Sequence, residues 1–107
     1  MAYYMHQVSF TAEAWAKMIH EPQNRETAIR PTLEKLGGRL VGYWFAFGDS
    51  DAVVITQMPD NVSAAAAALA ATAGGATRSL KTTVLMSVDE SMEAMRKAGG
   101  AGYRAPT

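Results

Sequence analysis

Gly42-Tyr43-Trp44-Phe45-Ala46-Phe47, Gly48-Asp49-Ser50-Asp51 and Ala52-Val53-Val54-Ile55-Thr56-Gln57-Met58 form one continuous stretch, and its reading decides the fold. Two runs rich in aromatic and β-branched residues flank a short polar segment, which predicts a β-hairpin. Side chains alternate between the faces of a strand with period two. A loop of two or four residues around Asp49-Ser50 pairs Phe47 with Ala52, Phe45 with Val54 and Tyr43 with Thr56, and places these six on one face. Trp44, Ala46, Val53 and Ile55 take the other. Neither set is polar, whereas a sheet with one solvated face alternates apolar with charged residues. Both faces are therefore expected to be covered, one by the chain's own helices and one by a partner or a ligand. The simplest partner is a second copy, giving a homodimer or a larger homo-oligomer.

Working outward, Ala2 to Phe10 reads as a first strand. Thr11 is a suitable N-cap with Glu13 in the first turn. Trp15, Met18 and Ile19 then mark one helical face. Pro22 interrupts, and Ile29, Leu33 and Leu36 resume the pattern until Gly37-Gly38 stops it. Pro31 lies inside this stretch and predicts a kink or a restart. Arg39 to Phe47 and Ala52 to Met58 are the hairpin strands. Asp60 or Asn61 caps an alanine-rich helix from Val62 to about Ala73, ended by Gly74-Gly75. Its small side chains suit close approach to a sheet. Ser79 to Met86 is a fourth strand. Ser87-Val88-Asp89-Glu90 has the spacing of a capping box and opens a helix to Lys97 with Val88, Met92 and Met95 on one face. The order β-α-β-β-α-β plus a terminal helix predicts an α+β, ferredoxin-like fold with a four-stranded antiparallel sheet and both main helices on one face. Residues 1–98 form one domain, and 99–107 read as a flexible tail.

The composition narrows the function classes. The chain has 107 residues and ten basic residues balance ten acidic ones, so it lacks the basic footprint of a nucleic-acid or anionic-membrane binder. The absence of cysteine excludes disulfides and thiolate metal sites and suits a reducing cytoplasm. The N-terminus does not read as a secretory signal, and the alanine tract 64–71 is too short to span a bilayer.

Tyr3 to Asp89 resembles the GYD-domain family, small bacterial proteins with a ferredoxin-like fold that pair into a dimeric α/β barrel. The pieces that carry the resemblance are Ser9-Phe10-Thr11, Glu34-Lys35-Leu36-Gly37-Gly38, Tyr43-Trp44-Phe45, the turn Gly48-x-x-Asp51 with the aliphatic strand after it, and Pro59-Asp60. The family's Gly-x-Tyr-Asp turn has Ser50 in place of its tyrosine here, so any role of that tyrosine is absent. The resemblance implies a fold and a dimer, and no reaction.

Candidate chemistry is sparse. Gly48 and Asp51 flank the turn, where glycine supplies a positive φ and aspartate accepts backbone N–H groups; a ligand or catalytic role for Asp51 is the alternative. His6 lies mid-strand and is the one weak candidate for acid–base catalysis. His20 reads as surface. The two histidines lack metal-ligand spacing, so no metal and no cofactor are expected. The aromatic strand superficially resembles an RNA-recognition strand, but it lacks the leading basic residue and is strand two rather than strand three. The ligand-binding set expected to face the barrel is Tyr43, Phe45 and Thr56, with His6 or Gln7 according to the register of strand one. The leading expectation is a dimer that binds an apolar or aromatic small molecule. The alternatives are an assembly module whose sheet face is only an interface, and a cofactor-free oxygenase or isomerase, the last by analogy of fold alone.

Overall fold

A computed structural model describes residues 1–107. Strand β1 (Ala2–Phe10) leads through helices α1 (Ala12–His20) and α2 (Arg25–Lys35) to β2 (Arg39–Phe45) and β3 (Ala52–Met58), then through α3 (Asn61–Ala73) to β4 (Thr77–Leu85) and α4 (Val88–Gly99). The four strands form one antiparallel sheet in the order β2-β3-β1-β4. This is the ferredoxin-like α+β arrangement that the sequence predicts.

The helix starts follow from local chemistry. Thr11, Asn24, Asp60 and Ser87 each accept a hydrogen bond from a backbone N–H of the first turn they cap. At Ser87 the reciprocal bond from its own N–H to Glu90 completes the capping box. Helix α2 ends in a Schellman motif. Gly37, with φ of 81°, donates to the Glu34 carbonyl, and Gly38 donates to that of Leu33. Gly38 has a second constraint, because a Cβ there would lie 2.7 Å from the Gln57 carbonyl oxygen and collide with the Met58 sulfur. One helix runs across Pro31 rather than restarting at it. Pro31 and Thr27 are both exposed, so water can take the carbonyl that the missing N–H leaves free.

The hairpin differs from its predicted register. Phe45 pairs with Ala52 and Tyr43 with Val54, a shift of two residues along β2. The even shift keeps each side chain on its predicted face. Strand β2 stops at Phe45, and Phe47 is fully exposed. The cause is Asp51. Its N–H donates to the Val8 carbonyl at 2.8 Å, and its carbonyl accepts from Ala46 N–H at 2.8 Å. Held against β1 in this way, Asp51 belongs to the base of a longer loop and not to a tight turn. Gly48 has no positive φ, and a Cβ there would meet nothing within 4 Å; the expected turn role for this glycine is not found.

One face of the sheet carries Tyr4, His6, Val8 and Phe10 from β1, Ala52, Val54, Thr56 and Met58 from β3, and Leu40, Tyr43 and Phe45 from β2. Ala14, Leu33 and Ala64 from the helices complete the core against it. The opposite face carries Tyr3, Met5, Gln7, Trp44, Val53 and Ile55 and has no covering element in the chain. Trp44 is 56% exposed. Trp15 and Met18 pack on the core while Ile19 faces outward. Helix α4 buries none of its residues, and Val88, Met92 and Met95 are all exposed. Residues 100–107 are exposed and carry no helix or strand.

Candidate functional site

Helices α2 and α3 lie on the same sheet face but do not close over its centre. They leave a cleft of about 320 Å³. The floor is His6, Val8, Val54 and Thr56 from the inner strands, with Leu80 from the edge strand β4. One wall is the α2 face Arg25, Ala28, Ile29, Thr32 and Leu33, spaced as one helical stripe. The other wall is Ala67, Ala68, Ala70 and Ala71 of α3. Alanines keep that wall thin, because no side chain reaches beyond Cβ into the gap between the helices. Phe10 and Tyr43 also line the space. The cleft is largely apolar, with a few polar groups set into it, which is the usual chemistry of a small-molecule site.

His6 is the central polar group and is only 5% exposed. Its Nδ1 lies 2.9 Å from Thr82 Oγ1 and its Nε2 lies 2.9 Å from Thr56 Oγ1. In the neutral imidazole one nitrogen donates to a threonine and the other accepts from one. Burial pushes the His6 pKa below its ordinary value, so the ring is neutral at pH 7. The register dictates the arrangement, since His6 stands opposite Thr82 on β4 and beside Thr56 on β3. Thr82 is exposed on the edge strand, while Thr56 is buried on the cleft floor. When Thr56 accepts from Nε2, its own hydroxyl proton is free to meet a bound molecule.

Tyr43 and Arg25 form the polar part of the rim. Burial raises the Tyr43 pKa, and the neighbouring Arg25 guanidinium offsets part of that rise. Tyr43 stays protonated and can donate. Phe45 stands beside it at 5.4 Å between ring centres and continues into Phe10 and Trp15, an aromatic cluster that closes one end of the helical side. Asp51 anchors that cluster. Its Oδ2 accepts from Phe10 N–H at 2.8 Å and from Trp15 Nε1–H at 3.3 Å. The carboxylate thus serves backbone, as the sequence suggests, but at the end of β1 rather than within the turn.

His6, Tyr43 and Thr56 come together as the sequence predicts, but in a cleft within one chain and not in the space between sheets. Phe45 packs on Tyr43 outside the lining. Gln7 stands on the uncovered face, while His6 shares the helix-covered face with Tyr43 and Thr56. Sequence reasoning missed Arg25, Leu33 and the α3 wall. The stripe at 25, 28, 29, 32 and 33 was the available signal. No cluster of three or more His, Asp or Glu side chains could hold a metal ion, and no helix is long and apolar enough to cross a membrane. The GYD domain profile matches residues 4–95. No curated protein matches the chain.

Proposed function

The chain belongs to the GYD domain family, whose match supplies no reaction, and from the shape of the cleft we propose that this member binds an apolar or aromatic small molecule between its sheet and helices α2 and α3. The observation that carries this reading is the cleft itself, about 320 Å³ of largely apolar space over a buried, neutral histidine. A cavity of about 150 Å³ is enough to hold benzene, so this one suits a two-ring molecule or a substituted ring. Ligands that bind only the folded state raise the melting temperature by mass action. A thermal-shift screen of one- and two-ring compounds, run on the wild type and on Ala68→Leu, tests it. Hits should lose their effect in the variant, whose added side chain fills the cleft. A screen without hits, or hits indifferent to Ala68→Leu, refutes the reading.

The working unit in this proposal is a homodimer joined through the uncovered sheet face, where Tyr3, Met5, Trp44, Val53 and Ile55 are apolar and unpartnered. That face also favours the second reading, an assembly module in which the dimer is the function. His6 would give the cleft a proton acceptor if it catalyses a cofactor-free oxygenation or an isomerisation. Loss of turnover with retained binding in His6→Ala would separate catalysis from binding.

A further inference from the structure

Among the residues that line the cleft, Arg25 is the one with a full charge, and no Asp or Glu lines it. Arg25 has no carboxylate partner in the molecule. The ion pairs are Lys17–Glu13, Arg30–Glu26 and Arg96–Glu93, so the neighbouring Glu26 is taken by Arg30. The guanidinium donates to the side-chain oxygen of Gln23 at 3.0 Å and hydrogen-bonds the Tyr43 hydroxyl on the rim, which still leaves N–H groups of its five free to meet an anion. It is the first residue of α2, the helix end where a cation is disfavoured by the backbone partial charges. An unpaired, half-buried cation at that position needs a reason, and the apolar cleft beside it supplies one.

Resting on the cleft reading above, we propose that the molecule bound there is a hydrophobic monocarboxylate whose ring or chain fills the space between α2 and α3 and whose carboxylate is held by Arg25 and the Tyr43 hydroxyl. A guanidinium presents parallel N–H donors that match the two oxygens of a carboxylate. The protonated Tyr43 adds one neutral donor. One cation neutralises a single negative charge, so a phosphate dianion would keep a net charge in an apolar cleft, which is costly. A cationic ligand would face Arg25 with no carboxylate in the lining to offset it. His6, neutral and engaged by two threonines, contributes polarity to the floor without competing for the anion.

The test is calorimetric titration of the full chain at pH 7 with three carboxylates, phenylacetate, 2-naphthoate and octanoate, each paired with its neutral carboxamide. At least one carboxylate should bind ten-fold or more tightly than its amide. Arg25→Gln should bring that ratio to within about three-fold by weakening the carboxylate far more than the amide, and Arg25→Lys should retain part of the preference. Tyr43→Phe should lower carboxylate affinity several-fold more than amide affinity. Ala68→Leu should weaken both. Equal binding of acid and amide overturns the anion proposal and leaves the cleft reading standing. Binding of neither member of any pair overturns both. A carboxylate preference that persists in Arg25→Gln and Ala68→Leu locates the binding elsewhere and also overturns the proposal.

Discussion

Asp51→Ala should be the most informative single change outside the cleft. The carboxylate accepts two donors from elements distant in sequence, Phe10 N–H at 2.8 Å and Trp15 Nε1–H at 3.3 Å. Hydrogen bonds to charged groups are worth about 1.5–3 kcal/mol each, and a neutral or long one nearer 1. The short bond to Phe10 takes the upper range, and the long indole bond the lower. Removing both should cost about 2–4 kcal/mol, a large part of the 5–15 kcal/mol typical of a domain. Urea unfolding followed by far-UV circular dichroism measures it. In a Trp15→Phe background the indole donor is already gone, so Asp51→Ala should cost less there, by about 0.5–1.5 kcal/mol. Asp51→Asn, which keeps one acceptor oxygen, should fall between wild type and alanine. A cost below about 0.5 kcal/mol for Asp51→Ala, or an equal cost with and without Trp15, refutes the assignment of this carboxylate as the clasp between hairpin, β1 and α1.

Three further outcomes follow from the geometry. Because burial holds His6 below its ordinary pKa of 6.5, the unfolded chain binds more protons than the folded one between the two values, so stability should fall as pH drops below about 6.5 and level off above it; urea midpoints from pH 8 to 5 should show this slope in the wild type and not in His6→Gln, and identical slopes would sink the neutral-imidazole account. Gly38→Ala should destabilise by about 3 kcal/mol, the upper range for overpacking, since the Gln57 carbonyl cannot easily move aside; a change under 0.5 kcal/mol in the same assay contradicts the close approach. Trp44→Arg should shift a dimer toward monomer in sedimentation equilibrium at micromolar concentration, and a wild type that sediments as an 11.4 kDa monomer ends the homodimer proposal.

The elements were legible because their signals are local. Thr11, Asp60 and Ser87 announce helix starts by their own side chains, and Gly37-Gly38 announces a stop. Alternation in Ala52–Met58 gave the strand and its two faces. The hairpin register was not legible, because it is set by Asp51 binding β1, a contact 41 residues away in sequence. The same holds for the site. His6, Tyr43 and Thr56 could be assigned to one face from periodicity, but which face the helices cover depends on packing. That reversal moved the candidate site from the dimer space into the chain. Arg25 is not legible from sequence, because a lone arginine in a first helical turn looks solvated until its neighbours are placed and none offers a free carboxylate.

The alanine wall of α3 has a consequence for how relatives of this protein could diverge. Alanine and valine codons differ by one base, and alanine-to-valine or alanine-to-threonine changes at Ala68, Ala70 or Ala71 each add volume to the cleft wall. The floor and the Arg25 rim lie on other elements and need not change. The helix tolerates such replacements at a propensity cost of up to about 0.7 kcal/mol each. Cleft size and cleft chemistry are therefore separable by mutation, the one written in α3 and the other in β1, β2, β3 and α2. Single-base substitutions can narrow the accepted range of ring sizes in small steps while every intermediate keeps its polar anchors.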